Sequence, residues 1–330
     1  MGNLSSYHGI RALITGGLGF IGSNLAIELV NLGAEVTIVD NMLPLQGGNL
    51  FNIRDIASKV NTQFADITSS LSMNNIIKDK DVIFHLAGQV NHIDSMRNPI
   101  NDLDINCKGT LVILEACRNF NKNAKILFTG TRGQYGPTVK LPVDENHPMD
   151  PQGIYAITNM AAEKMIMVYN NVHKIRGACF RISNTYGPRH QMRHDEYGVF
   201  NWFIRKAIDN EVIKVFGSGN IIRDFIYVDD VVKGLLMAGV SDKVDGEVFN
   251  MGSGQPIDFI TLAKKIVETA GSGKYEFSDF TRERKELEHG NYYSDCSKIK
   301  RLLGWAPETK LGEGISRTLE FYRKFKKYYW

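Results

Sequence analysis

The sequence predicts an α/β fold in which a doubly wound parallel sheet is followed by a smaller, mixed α/β C-terminal domain. As far as Tyr186, short apolar runs without alternation are separated by stretches with apolar residues at helical spacing. This is the pattern of parallel βα units whose strands are covered on both faces. After Tyr186 this pattern ends, and a polar, His-rich segment is followed by shorter elements. The length of 330 residues also favours two domains.

The elements follow in order along the chain. Each predicted strand of the first part is an apolar run, and the second of these runs ends in an acid, Asp40. The predicted strands are residues 12–14, 35–40, 81–86, 124–129 and 177–183. Helical spacing of apolar residues predicts helices over 21–32, 102–118 and 155–173. The second part is expected to contain a helix over 200–208, a β segment over 212–228, a helix over 229–240 and an amphipathic helix from Leu311.

Composition excludes several classes of protein. Hydrophobic residues make up 43% and charged residues 23% of the chain, which is ordinary for a globular protein and argues against disorder. The net charge of +3 gives no argument for binding nucleic acid or a membrane surface. The four cysteines are scattered, without the spacing of a disulfide framework or a metal site. No apolar run reaches the roughly 18 residues of a membrane span, so we expect a cytoplasmic protein.

A glycine-rich loop lies between the first strand and the first helix. Gly16, Gly19 and Gly22 allow a tight turn and a close approach of the backbone to a pyrophosphate at the helix N-terminus. Asp40 ends the next strand, 18 residues after Gly22, where a carboxylate accepts hydrogen bonds from a ribose diol and repels a 2′-phosphate. The next residue, Asn41, offers no basic group that could bind a 2′-phosphate. The loop therefore predicts a Rossmann-type domain that binds NAD rather than NADP.

Further motifs extend nearly to the end of the chain. They are Asp66-Ile67, His85-Leu86-Ala87-Gly88, Asn106 with Gly109-Thr110, Tyr135-Gly136, Asn184 with Tyr186-Gly187-Pro188-Arg189, Arg223-Asp224-Phe225, and Leu303-Gly304-Trp305-Ala306-Pro307. In this order and spacing, together with the glycine loop, they resemble the extended short-chain dehydrogenase/reductases. More narrowly, the chain resembles the NAD-dependent nucleotide-sugar epimerase and dehydratase family, which includes the 4-epimerases of UDP-galactose and UDP-N-acetylglucosamine.

The resemblance implies two sets of binding residues. The cofactor residues would be Gly16, Gly19, Phe20, Ile21, Gly22, Asp40, Asn41, Asp66, Ile67, Leu86, Ala87, Gly88, Gln89, Asn106, Tyr155 and Asn159. The substrate residues would be Thr131, Asn184, Val199, Phe200, Arg223 and Arg284, the arginines being suited to a diphosphate. Residues 1–186, with 226–252 returning, would form the NAD-binding domain, and residues 187–225 with 253–330 the nucleotide-sugar domain. Helices 102–118 and 155–173 resemble the pair that forms a homodimer in this family.

The resemblance also implies a catalytic group with one departure from the family pattern. Thr131 would hydrogen-bond the reacting sugar hydroxyl, and Tyr155 would remove its proton as hydride leaves for NAD. The family carries a lysine four residues after the tyrosine, but this chain has Asn159, which brings no charge. Three explanations stay open at this point. The residue belongs to a slow or differently tuned enzyme, marks a protein that binds without turnover, or is an introduced substitution.

The residues after Thr131 distinguish between reactions. Dehydratases of this family carry an Asp-Glu pair there and decarboxylases a glutamate, whereas this chain has Arg132 and Gly133. The resemblance therefore favours a UDP-sugar 4-epimerase, acting on UDP-N-acetylglucosamine or UDP-glucose through a transient 4-keto sugar. A 2-epimerase would use the same chemistry, and a dehydratase, a net reductase and a silent binding protein stay open too. Tyr292 aligns with the position that limits sugar size, where a large residue favours unsubstituted hexoses.

Overall fold

The fold is described by a computed structural model that covers residues 7–44, 46–286 and 288–330. The strands are β1 Arg11–Thr15, β2 Glu35–Asp40, β3 Val60–Phe64, β4 Val82–His85, β5 Lys125–Thr131, β6 Gly177–Ile182, β7 Asn184–Tyr186, β8 Val212–Phe216, β9 Ile222–Tyr227, β10 Val248–Met251, β11 Pro256–Asp258 and β12 Lys274–Ser278. The helices are α1 Phe20–Asn31, α2 Ser70–Ile76, α3 His92–Arg97, α4 Pro99–Asp102, α5 Gly109–Phe120, α6 Ile154–His173, α7 Val199–Ile208, α8 Val228–Gly239, α9 Phe259–Ala270, α10 Arg282–Glu286, α11 Ser297–Leu303 and α12 Leu311–Phe325.

Seven strands form one parallel sheet in the order β10-β6-β5-β4-β1-β2-β3. The order of the strands along the chain reverses between β1 and β4, so the loops that follow these strands diverge and leave a crevice at their carboxyl ends. Apolar side chains cover both faces of the sheet. The predicted doubly wound α/β fold is confirmed.

Each face of the large sheet has its own core. On one face, α1 and α8 pack around Phe84, Phe180 and Trp305. On the other, α2, α5 and α6 pack around Ile83, Ile113 and Ile166. Because both faces are covered, the strands read as continuous apolar runs, which is why the sequence reveals most of them.

A third core lies under two small sheets. In the first, β9 pairs with β7 in parallel and with β11 in antiparallel orientation, and in the second β8 pairs with β12. Helices α7, α9 and α12 cover them around Phe200, Phe203 and Tyr322. The chain also returns from these sheets to the large one, because β10 pairs with β6. The boundaries of the two domains stay a prediction.

Several elements differ from those expected from the sequence. The elements that lie outside the predicted segments are β3, β7, β10, β11, β12, α2, α3, α9, α10 and α11. Strand β3 was not expected, because its side chains alternate between half-buried and exposed and form no apolar run. The helix expected over 102–118 is interrupted: α4 and α5 are joined by a π-helical turn, Leu103–Lys108. The wider turn carries Asn106, whose side chain bonds to other segments. Among the described residues, no helix is both long and apolar enough to span a membrane.

Candidate active site

A cleft lies at the carboxyl ends of β1, β2, β4 and β5, where the strand order reverses. All sixteen residues predicted to bind the cofactor line it: Gly16, Gly19, Phe20, Ile21, Gly22, Asp40, Asn41, Asp66, Ile67, Leu86, Ala87, Gly88, Gln89, Asn106, Tyr155 and Asn159. Of the predicted substrate residues, Thr131 and Asn184 line it as well. Their assignment to cofactor and substrate stays a prediction.

The glycine loop fits a pyrophosphate because its residues leave no room for side chains. A Cβ on Gly16, whose φ is +71°, would lie 2.9 Å from the Cα of Ala87. A Cβ on Gly22 would lie 2.3 Å from the carbonyl oxygen of Gly16. Helix α1 begins after Gly19 without a side-chain cap, so the first amide groups of the helix are left for an anion.

The acid at the end of β2 is anchored by the same loop. The Oδ2 of Asp40 accepts a hydrogen bond from the amide of Leu18 at 3.1 Å, and its Oδ1 accepts one from the amide of Met42 at 2.9 Å. Burial raises the pKa of this carboxyl group, and the two hydrogen bonds partly oppose that rise. The described lining contains no lysine or arginine that could pair with a 2′-phosphate. This end of the cleft therefore fits the ribose of NAD.

A second acid, Asp66, lies beside Asp40. Its Oδ1 accepts hydrogen bonds from the amide and hydroxyl of Thr68 at 2.8 and 2.7 Å, and its Oδ2 accepts one from Asn41 at 3.0 Å. Burial raises the pKa of Asp66, but these hydrogen bonds outweigh it and lower the pKa overall. Ile67 packs against Gly109, where a Cβ would lie 2.5 Å from its Cδ1. The two residues form a fixed edge suited to a flat ring.

The loop after β4 is held by Asn106 from the π-helical turn. The Oδ1 of Asn106 accepts a hydrogen bond from the amide of Gln89 at 2.9 Å, and its Nδ2 donates to the carbonyl of Gln89 at 3.2 Å. The Nδ2 also donates to Asp102 and Thr158, each at 3.2 Å. Both polar atoms of the side chain are thus used to fix the cleft wall.

Thr131 and Tyr155 meet at one end of the cleft. Thr131 ends β5 and Tyr155 lies in the first turn of α6, and both residues line the cleft. The ring of His92 packs against the ring of Tyr155 with 4.5 Å between centroids. Burial raises the pKa of Tyr155 to about 12, while the nearby hydroxyl of Thr131 and the charge of Arg132 lower it. A base with so high a pKa needs a nearby cation to be effective at neutral pH.

Asn159 lies one turn after Tyr155 on the same face of α6. It lines the cleft and is 5% exposed. Its Nδ2 donates to the backbone carbonyl of Tyr155 at 2.8 Å, so the amide bonds within its own helix. The residue therefore brings no charge to the tyrosine hydroxyl.

Asn184 follows the large sheet as the first residue of β7. Its Oδ1 and the Oγ of Ser183 are buried and have no hydrogen-bond partner among the described residues. Unsatisfied buried oxygens that line a cleft are expected to meet a ligand. The sequence singled out Asn184 but not its neighbour, since a lone serine gives no signal.

Four predicted substrate residues do not line the described cleft. Phe200 is buried and stacks on Tyr186 with 3.7 Å between centroids, and Val199 precedes it at the start of α7. Arg223 forms an ion pair with Glu288 and donates to the carbonyl of Gly290 at 2.6 Å.

The fourth is Arg284, which donates to Asp195 Oδ2 at 2.6 Å. Each of the two arginines is thus paired with a carboxylate, which a diphosphate would have to displace. Their role in binding the substrate stays a prediction.

Sequence reasoning missed one wall of the cleft. His190, Gln191, Tyr197 and Gly198 line it, all from the segment noted only as polar and His-rich. The ring of His190 packs against Phe20 with 4.8 Å between centroids, and burial lowers its pKa to about 4. The concentration of histidines was the available signal. In the described part of the chain, no group of three His, Cys, Asp or Glu residues could hold a metal ion.

The chain is similar to known proteins along most of its length. The family model described as GDP-mannose 4,6 dehydratase matches residues 13–318. A putative UDP-glucose 4-epimerase of Methanocaldococcus jannaschii is 38% identical over 94% of this chain and 97% of its own. UDP-glucuronic acid decarboxylase 1 of Xenopus tropicalis is 33% identical over 95% of this chain and 72% of its own. The crystal structure of a Thermotoga maritima UDP-glucose 4-epimerase with UDP-glucose is 31% identical, covers 96% of this chain and 100% of its own, and superimposes with a TM-score of 0.87.

Proposed function

Because this chain belongs to the nucleotide-sugar epimerase and dehydratase family of the extended short-chain dehydrogenase/reductases, we propose that it is an NAD-dependent UDP-sugar 4-epimerase. The observation that carries the proposal is the pair of Thr131 and Tyr155 at the end of a cleft whose glycine loop and acid fit NAD. The 4-epimerase relatives in Methanocaldococcus jannaschii and Thermotoga maritima support the choice of reaction.

The chain's own residues account for the proton transfers. Members of the family are NAD-dependent, and NAD, when bound, takes up and returns the hydride. The hydroxyl of Thr131 holds the reacting sugar hydroxyl, and the Oη of Tyr155 accepts its proton. After the sugar has turned over, Tyr155 returns the proton to the oxygen of the other epimer.

The residues after Thr131 favour epimerisation over elimination or decarboxylation. A dehydratase needs an acid and a base beside the sugar, and Arg132 and Gly133 supply neither. A 4-epimerase needs only one base and a hydride acceptor. A 2-epimerase would need the same groups, so the identity of the reacting carbon rests on the relatives.

We test UDP-glucose and UDP-N-acetylglucosamine first. Tyr292 is buried, with its ring stacked near Tyr135 at 6.3 Å between centroids, and it lies outside the described lining of the cleft. A large residue at this family position favours an unsubstituted hexose.

The second candidate function is binding without turnover. It is favoured by Asn159, whose amide bonds within its own helix and leaves the pKa of Tyr155 high. Purified protein is therefore incubated with each sugar nucleotide, and the products are resolved by NMR. Formation of the 4-epimer without net consumption of NADH supports the epimerase and excludes a reductase. Bound NAD with no product supports the silent binder.

The matched control is Tyr155→Phe, which keeps the ring and removes only the base. We expect kcat to fall by about 10²- to 10⁴-fold, the usual contribution of a general base, with NAD still bound. Unchanged turnover in this variant would contradict the assignment of Tyr155.

A second copy of this chain is the partner we propose. An apolar strip on the π-helical turn, α5 and α6 is exposed to solvent: Leu103 is 48%, Leu111 40%, Ile157 42% and Val168 53% exposed. Helices with an uncovered apolar face are expected to pair across a two-fold axis. Light scattering after size exclusion should give twice the mass of 37.1 kDa, and Leu111→Glu should return the monomer. A monomeric wild type would contradict the proposal.

We also propose a cytoplasmic location. All four cysteines are free thiols, and burial raises the pKa of Cys117 to about 12, which makes it unreactive. Free thiols are typical of a reducing compartment. Fractionation of cells that produce the tagged protein tests this location.

A further inference from the structure

Beyond Thr131 and Tyr155, where the described lining of the cleft ends, lie three basic side chains. Arg132 directly follows Thr131 and begins a short 3₁₀ turn, Arg132–Tyr135. His92 contacts the ring of Tyr155 from α3. The third is His289 from the segment after α10, whose pKa is lowered by burial and by the nearby charge of Arg132. None of these groups is needed for the chemistry proposed above.

Arg132 is partly buried and has no hydrogen-bond or ion-pair partner among the described residues. Its guanidinium carbon lies 5.1 Å from the centre of the Tyr292 ring. Burial lowers its pKa to about 10 and the charge of Arg223 adds to this effect, while Tyr292 and the carboxylates of Glu288 and Asp224 partly oppose it. By contrast, the buried Arg181 is held by Glu163 at 2.7 and 2.8 Å. A partly buried guanidinium that no carboxylate contacts directly is available to an anion from outside the chain.

The turn that carries Arg132 lies between Thr131 and His92. A Cβ on Gly133 would lie 3.3 Å from the Oγ1 of Thr131 and 3.5 Å from the Cε1 of His92, so these two groups pack closely around the glycine. Burial lowers the pKa of His92 to about 3, so its ring is neutral at physiological pH and can donate a hydrogen bond without adding charge. The surroundings of the Thr131 hydroxyl are therefore polar and adjoin the residue that carries the charge, Arg132.

Arg132 is related to the sugar through its neighbour in the chain. Under the proposed function, Thr131 and Tyr155 hold the hydroxyl on the reacting carbon, so a group bound by the residue that follows Thr131 would be a substituent on a neighbouring carbon. We propose that Arg132, assisted by His92 and His289, binds a carboxylate on that neighbouring carbon, so that the substrate is a UDP-sugar acid such as a UDP-uronic acid. A guanidinium binds a carboxylate through two parallel hydrogen bonds, which suits this residue better than a lysine. This inference rests on the proposed function, because that function places the sugar.

The test measures binding to the NAD-loaded protein by calorimetry, with UDP-glucuronate, UDP-glucose and UDP as the three ligands. We expect UDP-glucuronate to bind about 10- to 100-fold more tightly than UDP-glucose, the range of a hydrogen bond to a charged group. Arg132→Gln should remove this preference, and Arg132→Lys should keep part of it. The matched control is Arg282→Gln on α10, because its side chain is 91% exposed and, among the described residues, forms an ion pair only with Glu286. Melting temperature and NAD affinity of each variant show that it is folded.

The outcomes separate this site from the proposed function. Equal affinity of the wild type for UDP-glucuronate and UDP-glucose would overturn the carboxylate site. An equal loss of affinity for UDP in Arg132→Gln would also overturn it, because the arginine would then face the diphosphate. Turnover of UDP-glucuronate is followed separately by NMR. Preferred binding of the acid without any epimer supports the site and contradicts the epimerase, whereas epimerisation of UDP-glucose without a binding preference does the reverse.

Discussion

Replacing Asn159 by lysine tests whether the missing cation limits the base. The pKa of Tyr155 is about 12 in the ligand-free protein, so only about one molecule in 10⁴ carries the tyrosinate at pH 8. A cation within about 4–6 Å lowers the pKa of an acid by roughly 1–3 units. Residue 159 is 5% exposed, so water screens this interaction little. The tyrosinate fraction should therefore rise by about 10- to 1,000-fold.

The rate should gain less than the tyrosinate fraction, because a base with a lower pKa accepts a proton less readily. We expect kcat at pH 8 to rise by about 10-fold, at the lower end of that range. The sign of the pH dependence follows from the form that reacts. Since Tyr155 acts when deprotonated, kcat rises with pH until its pKa is passed. The wild type should still be rising at pH 10, and Asn159→Lys should level off earlier by roughly 1–3 pH units.

The assay is kcat for epimer formation at saturating sugar nucleotide, measured from pH 6 to 10. The control is Asn159→Met, which resembles lysine in length and lacks its charge. If the lysine and methionine variants share the wild-type rate and profile, the cation is not what the base lacks, and the reasoning is wrong. A faster lysine variant with an unshifted profile would mean that lysine only positions the cofactor.

Three further predictions concern the cofactor cleft and the core. Gly22→Ala should abolish NAD binding in calorimetry, because its Cβ would lie 2.3 Å from the Gly16 oxygen, whereas Gly312→Ala, with nothing within 4 Å, should bind normally. Asp40→Ser should raise the ratio of the affinity for NADP to the affinity for NAD by at least about 10-fold, because it removes a carboxylate that repels the 2′-phosphate. An unchanged ratio would contradict the role of Asp40. Glu163→Gln should lower the free energy of unfolding by about 3–5 kcal/mol, because it leaves the buried charge of Arg181 uncompensated. Urea titrations measure this loss, and a value below about 1 kcal/mol would refute the prediction.

The large sheet and the residues that line the cofactor cleft could mostly be predicted, because their sequence signals lie close together in the chain. A strand, a glycine turn and a helix follow one another around Gly16, and the acid of β2 ends the next strand at Asp40. The face that His92 presents to Tyr155 could not be predicted, because the two residues are far apart in the chain. The π-helical turn was missed for the same reason, since contacts of Asn106 with Gln89 stabilise it.

The role predicted for Arg223 and Arg284 shows a second limit of prediction from sequence. The residue type suggested a diphosphate, but the carboxylates that pair with Arg223 and Arg284 come from other segments of the chain. The pairing of a charged side chain is a tertiary property, and it decides whether the charge is free for a ligand. Arg132 contacts the ring of Tyr292 but has no hydrogen-bond or ion-pair partner among the described residues, and in the sequence it was noted only for what it replaces.

The absence of lysine and arginine from the described lining of the cofactor cleft has a consequence for ionic strength. The pyrophosphate would be held by backbone amides at the start of α1, which are fixed dipoles inside a concave wall rather than mobile surface charges. Salt screens exposed charges over about 8–10 Å but acts weakly on enclosed dipoles. The cofactor should therefore remain bound at salt concentrations that weaken surface ion pairs. Such retention suits the proposed epimerase, in which the cofactor would end each cycle unchanged.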